Sequence, residues 1–460
     1  VQHKSLPRVR NVIVLSLAVA GVTAAALGAT ARVGPDLPDF GDMDGFAAVP
    51  LEPDEQPSSP GIPRPPREIP ATQPTETAAP PAGEPDTRDA VTRALDTLKK
   101  PLVDRGVTPA LNFTLDGGIN LRGGQNTGAW RFNHLTEFNL TVATEPLFGW
   151  HGGRFFANFQ NQNGRSTSQD VGAAEAVLDT EADGRTQLAE IWYEQLLFGD
   201  TLSLKLGKID AMGEFAYGLN NNEFIGAARV NPFNALMPTY PDPAFGGVVM
   251  YRPNENLYAG AGVFDGSGQE GRKTGELGPA TLFGSPGDLA FVGEAGFGWK
   301  DSGGRVGRLA VGGWHHTGTF DQFDGGTQDG ATGGYVIFDQ VLCREHPDDK
   351  DDAQGLGLTL LYGVADAHVM DVRHTAAATL QWTGPIEGRD DDVLGIGVAY
   401  LDLVQSAGFA RDEWSVELFY RLQLTPWCAI KPDLQYILHP GGNADVDDAL
   451  AATIRLEIGL

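Results

Sequence analysis

Polar and apolar positions alternate along the end of the chain. From Ala452 onward the even positions are apolar or small (Ala452, Ile454, Leu456, Ile458, Leu460), while the odd ones include Thr453, Arg455 and Glu457. A period of two puts these sets on opposite faces of a β-strand. The pattern recurs upstream. Trp414, Val416, Leu418, Tyr420, Leu422 and Leu424 share one face, and Ser415, Glu417, Arg421 and Gln423 share the other. Lys431, Asp433 and Gln435 oppose Leu434, Tyr436 and Leu438. Arg154, Asn158, Gln160 and Gln162 oppose Phe155, Ala157 and Phe159, and Lys205 opposes Leu204 and Leu206. Glu190 and Glu194 share a face with Trp192.

Sixteen such segments follow one another. They begin near Leu111, Trp130, Gly153, Gln187, Thr201, Phe245, Asn256, Leu289, Arg305, Gly333, Gln354, Arg373, Asp392, Asp412, Trp427 and Ala449. Most are about ten residues long, the length of a tilted membrane strand. Tight turns such as Phe198-Gly199-Asp200 alternate with long polar loops over 166–186, 211–244 and 266–288. One tight side and one loopy side, with an even strand number, predict an all-β fold: a closed antiparallel transmembrane β-barrel of about 16 strands. A charge facing mid-bilayer lipid costs about 2–4 kcal/mol, so the charged faces are expected to line a wet lumen. The expected lumen residues are Arg154, Gln160, Glu190, Glu194, Lys205, Glu417, Arg421, Lys431, Asp433 and Arg455.

The N-terminal region reads differently. Lys4, Arg8 and Arg10 precede an apolar stretch over residues 12–27, and Ala29-Thr30-Ala31 fits a cleavage site. This predicts a signal peptide over 1–31, removed on export. Fourteen of the thirty prolines fall between Pro35 and Pro85, so 32–85 is expected to be a disordered Pro-rich linker. Residues 86–106 are expected to form a short periplasmic helix and turn at the barrel rim. Val91, Leu95, Leu98 and Val103 approximate helical spacing, Asp86 or Thr87 caps the start, and Pro101 and Gly106 end it. The barrel then occupies 107–460.

Charge and chemistry narrow the function. Thirty-three Lys and Arg stand against 60 Asp and Glu, a net charge of −27, which disfavours nucleic acid as a partner. Cys343 and Cys428 lie in separate strands and are expected to be unpaired. His315 and His316 are adjacent in a strand and point to opposite faces, unlike a helical zinc pair. The acidic run over 345–352 lacks the spacing of a calcium loop. No catalytic constellation emerges, so the chain is read as a non-enzyme without cofactor or metal.

Four segments, in order, resemble the carbohydrate-selective porin family (OprB-type outer-membrane porins). The first is Leu147-Phe148-Gly149-Trp150-His151-Gly152-Gly153-Arg154-Phe155. The second runs from Leu188 through Glu190, Trp192 and Glu194 to Lys205, Lys208 and Asp210, with Glu214-Phe215-Ala216 after it. The third is Pro238-Thr239-Tyr240-Pro241 with Tyr251-Arg252-Pro253 and Val263-Phe264-Asp265-Gly266. The fourth is Pro432-Asp433-Leu434-Gln435-Tyr436-Ile437, with Pro440-Gly441-Gly442. The Pro-rich leader is not part of the family core, and Leu460 stands where such barrels usually place an aromatic residue.

The resemblance implies passive diffusion of small neutral sugars across the outer membrane through a charged constriction. Within the best-matched hairpin, Glu190, Glu194 and Lys205 are its first candidates. Trp192 and Phe419 are candidate stacking faces for sugar rings. The expected partners are small carbohydrates, the lipid bilayer, the outer-membrane assembly machinery and, through the leader, the cell wall. Two other readings stay open: a general porin for ions and small solutes, and a structural barrel tethered by its leader.

Overall fold

The computed structural model describes residues 89–281, 287–346 and 354–460. The expected signal peptide, the Pro-rich tract and most of the acidic run after Glu345 lie outside the described residues.

Sixteen antiparallel strands close on themselves. They are β1 (Val107–Arg122), β2 (Trp130–Ala143), β3 (Gly153–Gly164), β4 (Arg185–Leu197), β5 (Leu202–Ile209) and β6 (Ala244–Asn254). Then come β7 (Leu257–Asp265), β8 (Leu289–Lys300), β9 (Val306–Asp321), β10 (Thr327–Arg344) and β11 (Gly355–Ala365). The last are β12 (Val372–Thr383), β13 (Val393–Leu403), β14 (Glu413–Thr425), β15 (Cys428–Leu438) and β16 (Ala449–Gly459). Each strand pairs with its neighbours in sequence, and β1 pairs with β16 to close the ring. Closure satisfies every ladder without leaving an edge, which is what a strand protein needs in lipid.

All sixteen expected segments are strands. The largest boundary differences are at β1 and β10, which begin earlier than Leu111 and Gly333. The alternation holds. Phe155, Phe159, Ile191, Leu204, Leu206, Leu418, Leu434 and Ile454 are exposed on the outer face, with Leu206 as much as 71% accessible. The tight turn after β4 works because Phe198, Gly199 and Asp200 all take positive φ.

One helix, α1 (Ala90–Val103), precedes the barrel. Its cap is Asp89, whose carboxylate accepts from the Val91 and Thr92 backbone N–H groups at 2.8 and 3.1 Å. Asp86 and Thr87, the caps read from sequence, lie outside the described residues. Pro101 does not end the helix but sits within it. The Trp427 indole, in the turn between β14 and β15, donates to Asp89 at 3.2 Å, so the helix sits at the rim. Cys343 and Cys428 are both free thiols.

Candidate functional site

Alternate residues of each strand turn away from lipid onto the inner face of the barrel wall, and on β3–β5 and β14–β16 the residues that turn inward are largely polar or charged. Gln160, Glu190, Glu194, Lys205, Glu417, Arg421, Lys431, Asp433 and Arg455 are all buried on that face, and Arg154 is half-buried there. They fall into two groups. Arg154, Gln160, Glu190, Glu194 and Lys205 belong to β3–β5, whereas Glu417, Arg421, Lys431, Asp433 and Arg455 belong to β14–β16. Strands β1 and β2 lie between the groups on the closed sheet.

What joins them is a loop. The segment 210–243, between β5 and β6, runs into the lumen to the far wall. There the Leu219 backbone N–H donates to Asp339 at 2.8 Å and the Glu223 N–H donates to Gln381 at 3.2 Å. The Ile225 and Gly226 N–H groups donate to Glu417 at 2.9 and 3.0 Å. One side of this loop is greasy. Met212, Phe215, Phe233, Leu236 and Met237 are buried in one cluster with Val248, Met250, Tyr258, Phe264, Trp314 and Tyr335 of the wall. Burial of that apolar area holds the loop against β6–β10 and leaves its polar side towards the charged walls.

A second segment, 165–184 between β3 and β4, also folds inward. Glu175 of this loop and Glu417 of β14 flank the Arg229 guanidinium at 3.4 and 3.2 Å, so the two loops meet at one buried cation. The Asp179 N–H donates to the Ile225 carbonyl at 2.8 Å.

On the β3–β5 wall, Arg154 donates to Glu194 at 2.8 Å, and the Ser203 hydroxyl donates to the same carboxylate at 2.8 Å. Glu190 accepts from the Asp210 N–H at 2.9 Å and from the Trp192 indole at 3.2 Å. The Lys205 ammonium donates to Glu214 of the inner loop and lies 4.0 Å from the Trp192 ring centre. Gln160 donates to Glu137 of β2 at 3.0 Å.

On the other wall, Lys431 pairs with Glu223 of the inner loop at 2.7 Å and with Glu457 at 3.1 Å. Arg421 reaches the same two carboxylates at 3.4 and 2.8 Å. Arg455 grips Asp116 at 2.7 Å and Asp179 of the second loop at 2.5 Å. Asp433 accepts from Gln435 at 3.1 Å.

The hairpin sets Lys205 opposite Glu194 in the β4–β5 register, and the inner loop adds Glu214, which accepts from the ammonium. One expectation needs correction. The proposed stacking faces are covered: Trp192 lies between Lys205 and Phe156, and Phe419 packs edge-on against Phe224 with ring centres 5.0 Å apart.

The residues that reading by alternation misses are Glu175, Asp179, Glu214, Glu223 and Arg229, all from the two loops. A loop has no period to read; the only signal was Glu214 beside the best-matched hairpin. Asp116 was within reach of alternation, since Asn112, Asp116 and Asn120 are spaced evenly and buried on one face of β1.

A family model described as carbohydrate-selective porin, OprB family, matches residues 131–460. Porin B of Pseudomonas aeruginosa is 24% identical over 408 residues, which cover 77% of this chain and 88% of that protein. The putative porin QuiX of Acinetobacter baylyi is 27% identical over 148 residues, 27% of this chain and 33% of that protein. The high-pH structure of Pseudomonas putida OprB superposes with a TM-score of 0.70 at 21% identity, covering 80% of this chain and 97% of the other. Its low-pH structure gives 0.54 at 19% identity, covering 79% and 97%. These two superpositions are a likeness of fold.

Proposed function

The chain belongs to the carbohydrate-selective porin family, and from that premise we propose that small neutral sugars cross its lumen by passive diffusion, past a constriction of paired charges. The porin family and the barrel make it an outer-membrane sugar channel. The narrow region is assigned to the space between the inner loop and the two charged walls, with Glu190, Glu194, Lys205 and Glu214 on one flank and Glu223, Arg421 and Lys431 on the other.

The observation that carries this reading is the pairing itself. Glu214 meets Lys205 and Glu223 meets Lys431, so the loop presents carboxylates where the walls present cations. Carboxylates accept from sugar hydroxyls, while ammonium, guanidinium and amide groups donate to them. Placed in pairs, they offer many hydrogen bonds with little net field, which suits a neutral solute better than an ion. Flux also needs weak binding, since a solute that is held cannot leave.

Swelling of liposomes carrying the reconstituted barrel, with sugars and amino acids of matched size, tests the reading. Sugars are expected to enter faster than amino acids of the same size. Equal rates would make the chain a general porin and remove the constriction from its role in selection.

A further inference from the structure

We propose that α1 is an interfacial helix whose apolar face lies in the periplasmic leaflet of the outer membrane, so that the phospholipid surface is its partner. The helix carries an apolar stripe that no protein group covers among the described residues. Val91, Leu98 and Leu102 recur at helical spacing and are exposed, Leu98 to 73%. Thr92, Leu95 and Lys99 form the half-buried side. Arg93, Asp96, Thr97 and Lys100 occupy the opposite, polar side.

The placement of the helix argues for lipid. Its start is fixed by Asp89 to Trp427 in the turn between β14 and β15, and its end leads through Gly106 into β1. In the closed sheet β14, β15, β16 and β1 are successive neighbours, so the helix runs along the rim. That rim is where the barrel meets the membrane surface. Phe148, Trp150, Phe198, Tyr251, Phe297 and Trp382 are exposed near the same ends of the strands. Exposed aromatic residues in such a ring mark a membrane–water interface.

The helix is continuous with this ring. The Ala143 N–H donates to the Gly106 carbonyl at 2.8 Å and a Cβ at Gly106 would meet the Pro146 side chain at 2.9 Å, so the chain leaving the helix lies against the turn that carries Leu147 and Phe148. An exposed apolar patch of this kind in water is unfavourable; in the interface it is buried at no cost to the fold.

Charge agrees. Between residues 89 and 105 stand Arg93, Lys99, Lys100 and Arg105 against Asp89, Asp96 and Asp104, although the whole chain carries −27. Lys and Arg can lay their stems on the apolar surface and reach lipid phosphates with their heads. The Asp89 cap carboxylate is held at about 2, chiefly by the hydrogen bond from the Thr92 hydroxyl, and so stays ionised and keeps the helix start in place.

The test uses the whole chain, with Cys343→Ser and Cys428→Ser, reconstituted in vesicles of phosphatidylethanolamine and phosphatidylglycerol. A fluorophore is attached at Leu98→Cys or, separately, at Lys100→Cys. Phospholipids brominated near the headgroup are expected to quench the label at 98 several-fold more than the label at 100. Iodide, supplied on both sides of the membrane, is expected to show the reverse order. A second variant, Leu102→Glu added to the Leu98→Cys chain, is expected to lower lipid quenching while the heat-modifiable barrel band persists. If iodide quenches position 98 and the brominated lipids do not, the helix stands in water and the proposal fails. If neither quencher reaches position 98, protein covers the stripe and the proposal fails equally.

Discussion

At the scale of residues, the chemistry of the lumen depends on which carboxylate each cation finds. Glu194 holds Arg154 at 2.8 Å and Glu190 accepts two N–H bonds. Replacing both with Gln keeps an acceptor oxygen at each site and frees the Arg154 charge. The double substitution is expected to leave the barrel folded, shift ion selectivity towards anions, and change sugar flux relative to ion flux. Reversal potentials in planar bilayers and liposome swelling measure these; no change in either would make both residues wall solvation. Glu214→Gln should shift selectivity in the same direction, because it removes the carboxylate from Lys205. Alternation identified the inward face of every strand that it was applied to, since lipid on one side and water on the other impose a strict parity. It could not identify Glu214 as the partner of Lys205, or Glu223 as that of Lys431, 208 residues away in sequence, because both carboxylates lie on a loop whose path has no period to read.

At the scale of elements, strands were legible and the inner loop was not. A strand declares itself locally through period two and the turns that bound it. From sequence, 211–244 reads only as a long polar connection. Its lumenal path rests on Glu417, which is 0% accessible, accepts two loop N–H bonds and pairs with Arg229. Glu417→Ala leaves the buried Arg229 guanidinium to Glu175 alone, at 3.4 Å, and strands two N–H groups. Breaking a buried pair on one side costs roughly 3–5 kcal/mol. The expected outcome is a lower denaturation midpoint together with larger and noisier single-channel currents, as the loop detaches from the wall. A lower midpoint with an unchanged current would show that the loop does not set the passage.

Glycines separate two demands of the β4–β5 hairpin. Gly207 has φ +144° and a Cβ there would come within 2.2 Å of the Ile191 carbonyl oxygen and 2.6 Å of the Trp192 Cα. Gly199, in the turn, has φ +62° but open space around it. Gly207→Val should therefore abolish most of the folded, heat-modifiable form, because backbone of the neighbouring strand cannot yield. Gly199→Ala should cost only about 1–2 kcal/mol, the strain of a left-handed residue. Comparable losses from the two would mean that the turn, and not the close strand approach, limits assembly.

At the scale of the whole molecule, the barrel exists only if its first strand finds its last. The ladder between β1 and β16 supplies the seam, and Leu111 and Leu460 exchange both backbone bonds at 2.8 Å. Backbone pairing alone does not distinguish this seam from a slipped one, since any register offers the same N–H and carbonyl groups. The side chains do. Asp116 and Arg455 face each other in the register and are joined by two hydrogen bonds of 2.7 and 2.9 Å, both groups being buried. A slip by one residue would send one charge towards lipid and leave the other unpaired in the wall. The same guanidinium holds Asp179, so the seam and the second inner loop are fixed by one residue. Arg455→Ala is expected to lower stability by roughly 3–5 kcal/mol, because it leaves two carboxylates facing each other without a cation. Adding Asp116→Asn to that variant should recover a substantial part of the loss, since the remaining amide carries no charge. Urea titration of the folded barrel in micelles, followed by tryptophan fluorescence, gives the four corners of this cycle. If the double variant is no more stable than Arg455→Ala alone, the pair does not fix the seam, and the register is held by the backbone and the lipid-facing side chains instead.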